Sequence, residues 1–106
     1  MANQLREQYG EIVDGLLRRY PQKKSAILPL MHLAQRVHGY MSQEAMNEVA
    51  EILDIDSTHV LSLAGFYTLY YEEPVGKYVL EVCTDLACAL RGADEFLEMV
   101  LQKLQV

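Results

Sequence analysis

With 106 residues, 51% of them hydrophobic and 23% charged, the chain can bury the core of one domain, or of one small domain plus an appendage. Nothing in it reads as low-complexity or disordered, and no run of about 18 apolar residues is present to cross a membrane. The net charge of −6 is uneven: residues 1–40 balance at +3 and residues 41–106 at −9. This excludes a nucleic-acid binder, which needs clustered positive charge to displace counterions. The acidic half fits a solvated face or a docking surface for a partner of opposite charge.

Met1 to Arg6 lacks the apolar stretch and cleavage site of a signal peptide. The expected compartment is therefore the cytoplasm, where thiols stay reduced and a structural disulfide is not expected. Leu5, Ile12, Val13, Leu16 and Leu17 recur with helical spacing up to Tyr20-Pro21. After the basic turn at Pro21 to Lys24, Ser25 is the expected cap of a second helix. Its inward residues are Ile27, Leu28, Leu30, Met31, Leu33, Ala34 and Val37, and it stops at Gly39. Pro29 falls in the first turn, where a missing N–H costs little. Ser42 caps a third helix with the stripe Met46, Val49, Ala50 and Leu53. Asp56 or Ser57 opens a fourth, with Val60, Leu61, Ala64 and Tyr67 inward. In the aromatic stretch that follows, Phe66 and Tyr67 read as core, and Tyr70 and Tyr71 as a cap on the next junction.

The texture changes at Glu72 to Gly76, a Pro- and Gly-containing turn. Lys77 to Cys83 is the one segment that reads as a strand, with Tyr78, Leu80 and Val82 on one face and Val79 and Glu81 on the other. A single strand cannot satisfy its own backbone groups, so further sequence, a partner chain or a second copy must pair with it. A loop with both cysteines comes next. A last helix then places Ala93, Phe96, Leu97, Val100, Leu101 and Leu104 on one face. The fold class is α+β: a four-helix bundle over residues 1–73, then a strand and a helix over residues 74–106.

Cys83 and Cys88, the chain's two cysteines, form a C-x4-C pair. Thiolates at this spacing can reach one iron or clasp one edge of an iron–sulfur cluster. Two ligands do not close a structural zinc site. The spacing alone leaves two other readings open: ordinary packing of both cysteines and a reversible disulfide. His32, His38 and His59 are remote in sequence. No phosphate loop, Ser-His-Asp set or H-E-x-x-H motif supports a self-contained hydrolase or nucleotide-binding enzyme.

The block from Pro74 through Tyr78, Leu80, Val82, Cys83, Cys88 and Leu90 to Gly92-Ala93 resembles the E-type [2Fe–2S] subunit of bacterial NADH:quinone oxidoreductases. Related subunits of NAD-dependent hydrogenases and formate dehydrogenases share the pattern. Ala26 to Leu30, Gly39-Tyr40 and Gly65-Phe66-Tyr67 agree with that family's helical region. The resemblance implies a helical bundle followed by a thioredoxin-like domain that binds one [2Fe–2S] cluster through two cysteine pairs. Cys83 and Cys88 match the upstream pair and are the expected cluster and metal ligands. No residue of this chain matches the downstream C-x3-C pair, so the expectation is a truncated thioredoxin-like domain, with two ligands supplied by another chain or by a homodimer.

The resemblance also implies an electron-transfer role within a larger complex, with no catalysis by this chain alone. The chain would sit beside a flavin- and NADH-binding subunit, in the cytoplasm or peripherally at the inner membrane, with no direct membrane insertion. Backbone N–H groups and the helix dipole near Arg91-Gly92 are expected to stabilise thiolate and sulfide charge. Gly92 is expected to let the backbone approach closely, Arg91 to offset negative charge or stay solvated, and Asp85 to point to water. The alternative from a different class is a non-redox assembly module, a truncated paralogue with residual cysteines.

Overall fold

The computed structural model describes residues 3–106. Met1 and Ala2, which belong to the segment tested for a signal peptide, lie outside them. The chain divides into two compact units, one ending at Gly76 and one spanning Lys77–Val106. No helix among the described residues is long and apolar enough to cross a membrane.

The first unit is built on helices α1 (Gln4–Arg18), α2 (Ile27–His38), α3 (Gln43–Leu53) and α4 (Ser57–Phe66). Three of the four starts rest on side-chain caps. The Asn3 side chain accepts the Arg6 N–H at 3.1 Å, Ser42 Oγ the Ala45 N–H at 3.1 Å, and Asp56 Oδ1 the Thr58 N–H at 2.8 Å. These bonds satisfy donors that a helix start leaves open. The second helix departs from expectation. Lys23–Ala26 forms a 3₁₀ turn that holds Ser25, and α2 begins after it without a side-chain cap. Gly39 ends α2 at φ 87°, a conformation glycine adopts without a Cβ penalty.

All four helices feed one core. Leu5, Val13, Leu30, Met31, Val49 and Val60 are among its fully buried side chains, and Met41 joins them from the loop before α3. α3 contacts both α2 and α4, and α1 packs on α2. Ile12 and Leu61, expected inward, are exposed. Ile12 stands about 100° around the helix from Val13, and the core takes Val13. Leu61 is offset in the same way from Val60.

The aromatic stretch follows the expected order in part, with Tyr67 packed against the core. Phe66 is 77% exposed, whereas Tyr70 is 5% exposed. The reason is that α4 stops at Phe66 and the chain folds back onto α2. The Gln35 side chain donates to Leu69 O at 3.0 Å and accepts the Tyr71 N–H at 2.7 Å. Tyr70 donates its hydroxyl to Leu28 O at 3.2 Å and stacks, tilted, on His32. Met41 N–H donates to Tyr71 O at 2.6 Å. One glutamine amide thus supplies both a donor and an acceptor to the turn that follows α4.

The second unit holds the short helix α5 (Leu86–Leu90) and α6 (Ala93–Leu104). The expected strand over Lys77 to Cys83 is not formed, and no strand occurs among the described residues. Tyr78 is 80% and Leu80 67% exposed, so the face expected to bury is open. Strand geometry is held by inter-strand hydrogen bonds, and the described residues offer no second strand. On α6, Ala93 is buried and Leu97 and Val100 are half-buried, but Phe96, Leu101 and Leu104 remain exposed. The apolar stripe is there as expected, and its outer part is uncovered.

Candidate functional site

Cys83 and Cys88 are both free thiols, the first exposed and the second half-buried. Cys83 closes the irregular segment after Lys77. Cys88 is placed differently from the expected loop, inside α5. Asp85 starts that helix. Its carboxylate accepts the Leu86 N–H at 2.8 Å, and its carbonyl accepts the Ala89 N–H at 2.8 Å. Asp85 is therefore a helix cap that fixes the backbone between the two cysteines, a role not expected from the sequence. An aspartate directly ahead of a short apolar helical run is the signal that marks it.

After α5, the Arg91 N–H donates to Cys88 O at 3.0 Å and the Gly92 N–H to Ala89 O at 3.1 Å. Gly92 then turns the chain at φ 96° into α6. A Cβ at Gly92 meets nothing within 4 Å. Its positive φ is the conformation that glycine adopts without a Cβ penalty.

The two thiols meet in one open groove of about 640 Å³, lined by Glu81, Val82, Cys83, Ala87, Cys88, Arg91, Gly92, Ala93 and Phe96. Hydrogen bonding and charge interaction with Cys83, with slight desolvation, hold the Cys88 thiol above the usual cysteine range. The local walls are mainly apolar, with one cation, Arg91, and one carboxylate, Glu81, at the groove.

The donor set fits one side of an iron–sulfur centre. Two adjacent thiols on a shared groove suit soft metal chemistry. Among the described residues, no group of three or more His, Cys, Asp or Glu side chains gathers to hold a metal ion. The structure thus brings together the two predicted site residues and supplies two thiolate donors, not four.

A second polar cluster, invisible in the helical pattern, lies in the first unit. Glu48 is buried although it falls off the apolar stripe of α3. Its carboxylate accepts the Gln4 N–H at 2.6 Å and stands 2.5 Å from His38 Nε2. Its backbone carbonyl accepts from Asn3 Nδ2 at 3.1 Å. This is a structural tie between the start of α1, the end of α2 and α3. Every buried side-chain N or O among the described residues has a partner.

Comparison with known proteins agrees with the sequence resemblance. The family model of the thioredoxin-like [2Fe-2S] ferredoxins matches residues 13–106. The E 2 subunit of the Rhizobium meliloti NADH-quinone oxidoreductase is 38% identical over 87 residues, covering 82% of this chain and 52% of the relative. The corresponding E subunit of Rickettsia prowazekii is 37% identical over 98 residues, covering 90% of this chain and 55% of the relative. That of Mycobacterium bovis is 35% identical over 91 residues, covering 86% and 36%. The chain spans about half the length, or less, of these curated relatives. It belongs to the thioredoxin-like [2Fe-2S] ferredoxin family.

Proposed function

We propose that this family member is the portion of an electron-transfer subunit that holds one side of a [2Fe–2S] cluster. Cys83 and Cys88 are two of the thiolate ligands, and the other two come from outside residues 1–106. The helical unit, residues 1–73 by its sequence pattern, docks on a subunit that holds flavin and binds NADH. The cluster, when bound, supplies one-electron transfer. The part of this chain is to position thiolates. Asp85 fixes the backbone between them, and the Gly92 turn starts α6, whose Ala93 and Phe96 line the groove.

The observation that carries the reading is the placing of both thiols on one groove, within a segment matched by the family. The named relatives are NADH-quinone oxidoreductase subunits, which supports an assembly with other subunits. The exposed Leu61, Phe66 and Leu69 give the helical unit apolar surface of the kind that interfaces bury.

The test is anaerobic loading of the full chain with iron and sulfide, alone and with the candidate partner. The expected result is iron and sulfide in equal amounts in the complex, visible absorption, and an EPR signal after reduction. These signals should be lost in Cys83→Ser. A complex that assembles but carries neither iron nor sulfide overturns the reading. A Cys83→Ser complex that assembles and transfers electrons normally favours the assembly module instead.

A further inference from the structure

We propose that the open groove at the end of α4 docks a protein segment in which an arginine stands next to an apolar side chain. The proposal deepens the docking part of the reading above and rests on it for the subunit that carries the segment. It needs nothing from the cysteines.

The surface here lacks the charge that a solvent-facing helix carries. From Ser57 to Tyr71 there is no Asp, Glu, Lys or Arg. On α4, Val60 and Ala64 are buried, while Leu61 and Phe66 are exposed. A surface helix sets a polar face opposite its apolar one, and a helix apolar on both sides is a covered helix. The Phe66 ring stands edge-to-face on Tyr67, with centroids 5.0 Å apart, and Tyr67 stands likewise on Tyr70 at 6.0 Å. Tyr70 is buried, so a row of aromatic contacts rooted in the core holds the exposed ring. An anchor fixed before binding loses little entropy on docking.

The groove, of about 730 Å³, includes Gly65, Phe66, Tyr67, Glu72, Glu73 and Val75 in its lining. A Cβ at Gly65 would stand 3.3 Å from Glu72 Oε1, so the Glu72 carboxylate leans over bare helix backbone. Among the described residues, no hydrogen bond or ion pair engages Glu72 or Glu73. Residues 37–76 hold seven Asp and Glu and no Lys or Arg, so no cation close in sequence balances them. A fixed aromatic ring beside two unpaired carboxylates suits one side chain best. The guanidinium of arginine forks onto a carboxylate and stacks on a ring, whereas lysine offers a point charge. Leu61, exposed one turn before Gly65, gives the neighbouring apolar side chain a surface to pack on.

The immobilised full chain is used to select from a phage-displayed library of random peptides. The enriched peptides are expected to carry an arginine close to an apolar residue. The strongest of them is then titrated into the isotope-labelled chain and followed by NMR. Amide shifts should concentrate in residues 64–75, the span that lines the groove. Phe66→Ala should weaken binding about tenfold and Glu72→Gln about threefold, both with helix content unchanged by circular dichroism. Gly65→Ala separates docking from folding. Within the helix it should leave stability equal or higher, yet its methyl crowds Glu72 and should weaken binding. No enriched peptide, enrichment without a cation, or shifts confined to other residues overturns the proposal. So does a chain that dimerises in analytical ultracentrifugation and loses the dimer in Phe66→Ala, because a second copy then fills the groove.

A chain that loads iron and sulfide with its partner but selects no such peptide refutes this proposal alone. Peptide binding as expected, with neither iron nor sulfide in the assembled complex, refutes the cluster reading and leaves the groove standing.

Discussion

Glu48→Ala removes the one carboxylate that ties three helices of the first unit together. The side chains of His38 and Glu48 are 11% and 10% exposed, so the groups the substitution strands are not freely rehydrated. The Gln4 N–H loses its acceptor at 2.6 Å and His38 Nε2 loses its partner at 2.5 Å. Each buried group left without a partner costs about 1–3 kcal/mol. Water from the neighbouring groove, lined by Gln4, Glu7, His38 and Glu51 among others, can reach part of the space, which draws the sum toward about 3 kcal/mol. Stabilities of small domains are about 5–15 kcal/mol, so the loss is a large fraction of the whole. At about 4–8 °C per kcal/mol for a domain of this size, the melting temperature falls by roughly 12–24 °C.

Urea and thermal unfolding followed by far-UV circular dichroism measure the effect, since most helix lies in this unit. Asn3 bonds the Glu48 carbonyl, not its side chain, and that bond survives the substitution. In a double-mutant cycle with His38→Ala, the double variant is expected to lose at least about 1 kcal/mol less than the sum of the singles. A Glu48→Ala chain within about 0.5 kcal/mol of the parent, the ordinary range for surface substitutions, refutes the reasoning, as does strict additivity with His38→Ala.

Two glycines of the same unit should respond with opposite sign. Gly39→Ala forces a Cβ into φ 87° and is expected to cost about 1–2 kcal/mol. Gly15→Ala lies inside α1 with nothing within 4 Å of the new methyl and is expected to add about 0.5–1 kcal/mol. Denaturant midpoints at constant slope check both, and a stabilising Gly39→Ala is the outcome that contradicts the cap assignment. At Asp56, hydrogen bonds from Thr58 hold the carboxyl below the usual aspartate range. A depressed folded-state value means the group stabilises the fold at neutral pH and loses that contribution as pH falls through its folded value, below about pH 4. Asp56→Asn keeps a capping side chain but cannot titrate. The stability difference between parent and Asp56→Asn should therefore shrink on acidification from about pH 6 to about pH 2, and a difference that stays constant sinks the assignment.

The features legible in the sequence were local. Helix starts at Ser42 and Asp56, the stop at Gly39, and the buried stripe of α3 rest on contacts within one turn or on a single period, and they occur where that chemistry puts them. Features set by distant residues were not legible. Glu48 lies off the apolar stripe, so periodicity marks it as surface, and only the approach of Gln4 and His38 makes burial tolerable. Tyr70 is buried and Phe66 exposed because Gln35, far earlier in the chain, folds the segment back. Ser25 has the composition of a cap, but the 3₁₀ turn it sits in precedes the helix.

The second unit divides in the same way. Alternation in Lys77 to Cys83 and the stripe on α6 mark apolar faces, yet a pattern encodes which face is suited to burial and not what covers it. Tyr78, Leu80, Phe96 and Leu104 are all exposed here. The strand is the stronger case, because its hydrogen bonds are made with another strand, whereas a helix makes its own. That is why α6 forms and the strand does not. The cysteines fall on the legible side for chemistry but not for geometry. Their type and spacing permit a soft-metal clasp, a disulfide or plain packing. The placing of both thiols on one open groove, with Cys83 exposed, weakens the packing reading. Choosing between the other two requires measuring iron and thiol state on the same sample, because each consumes the same two sulfurs.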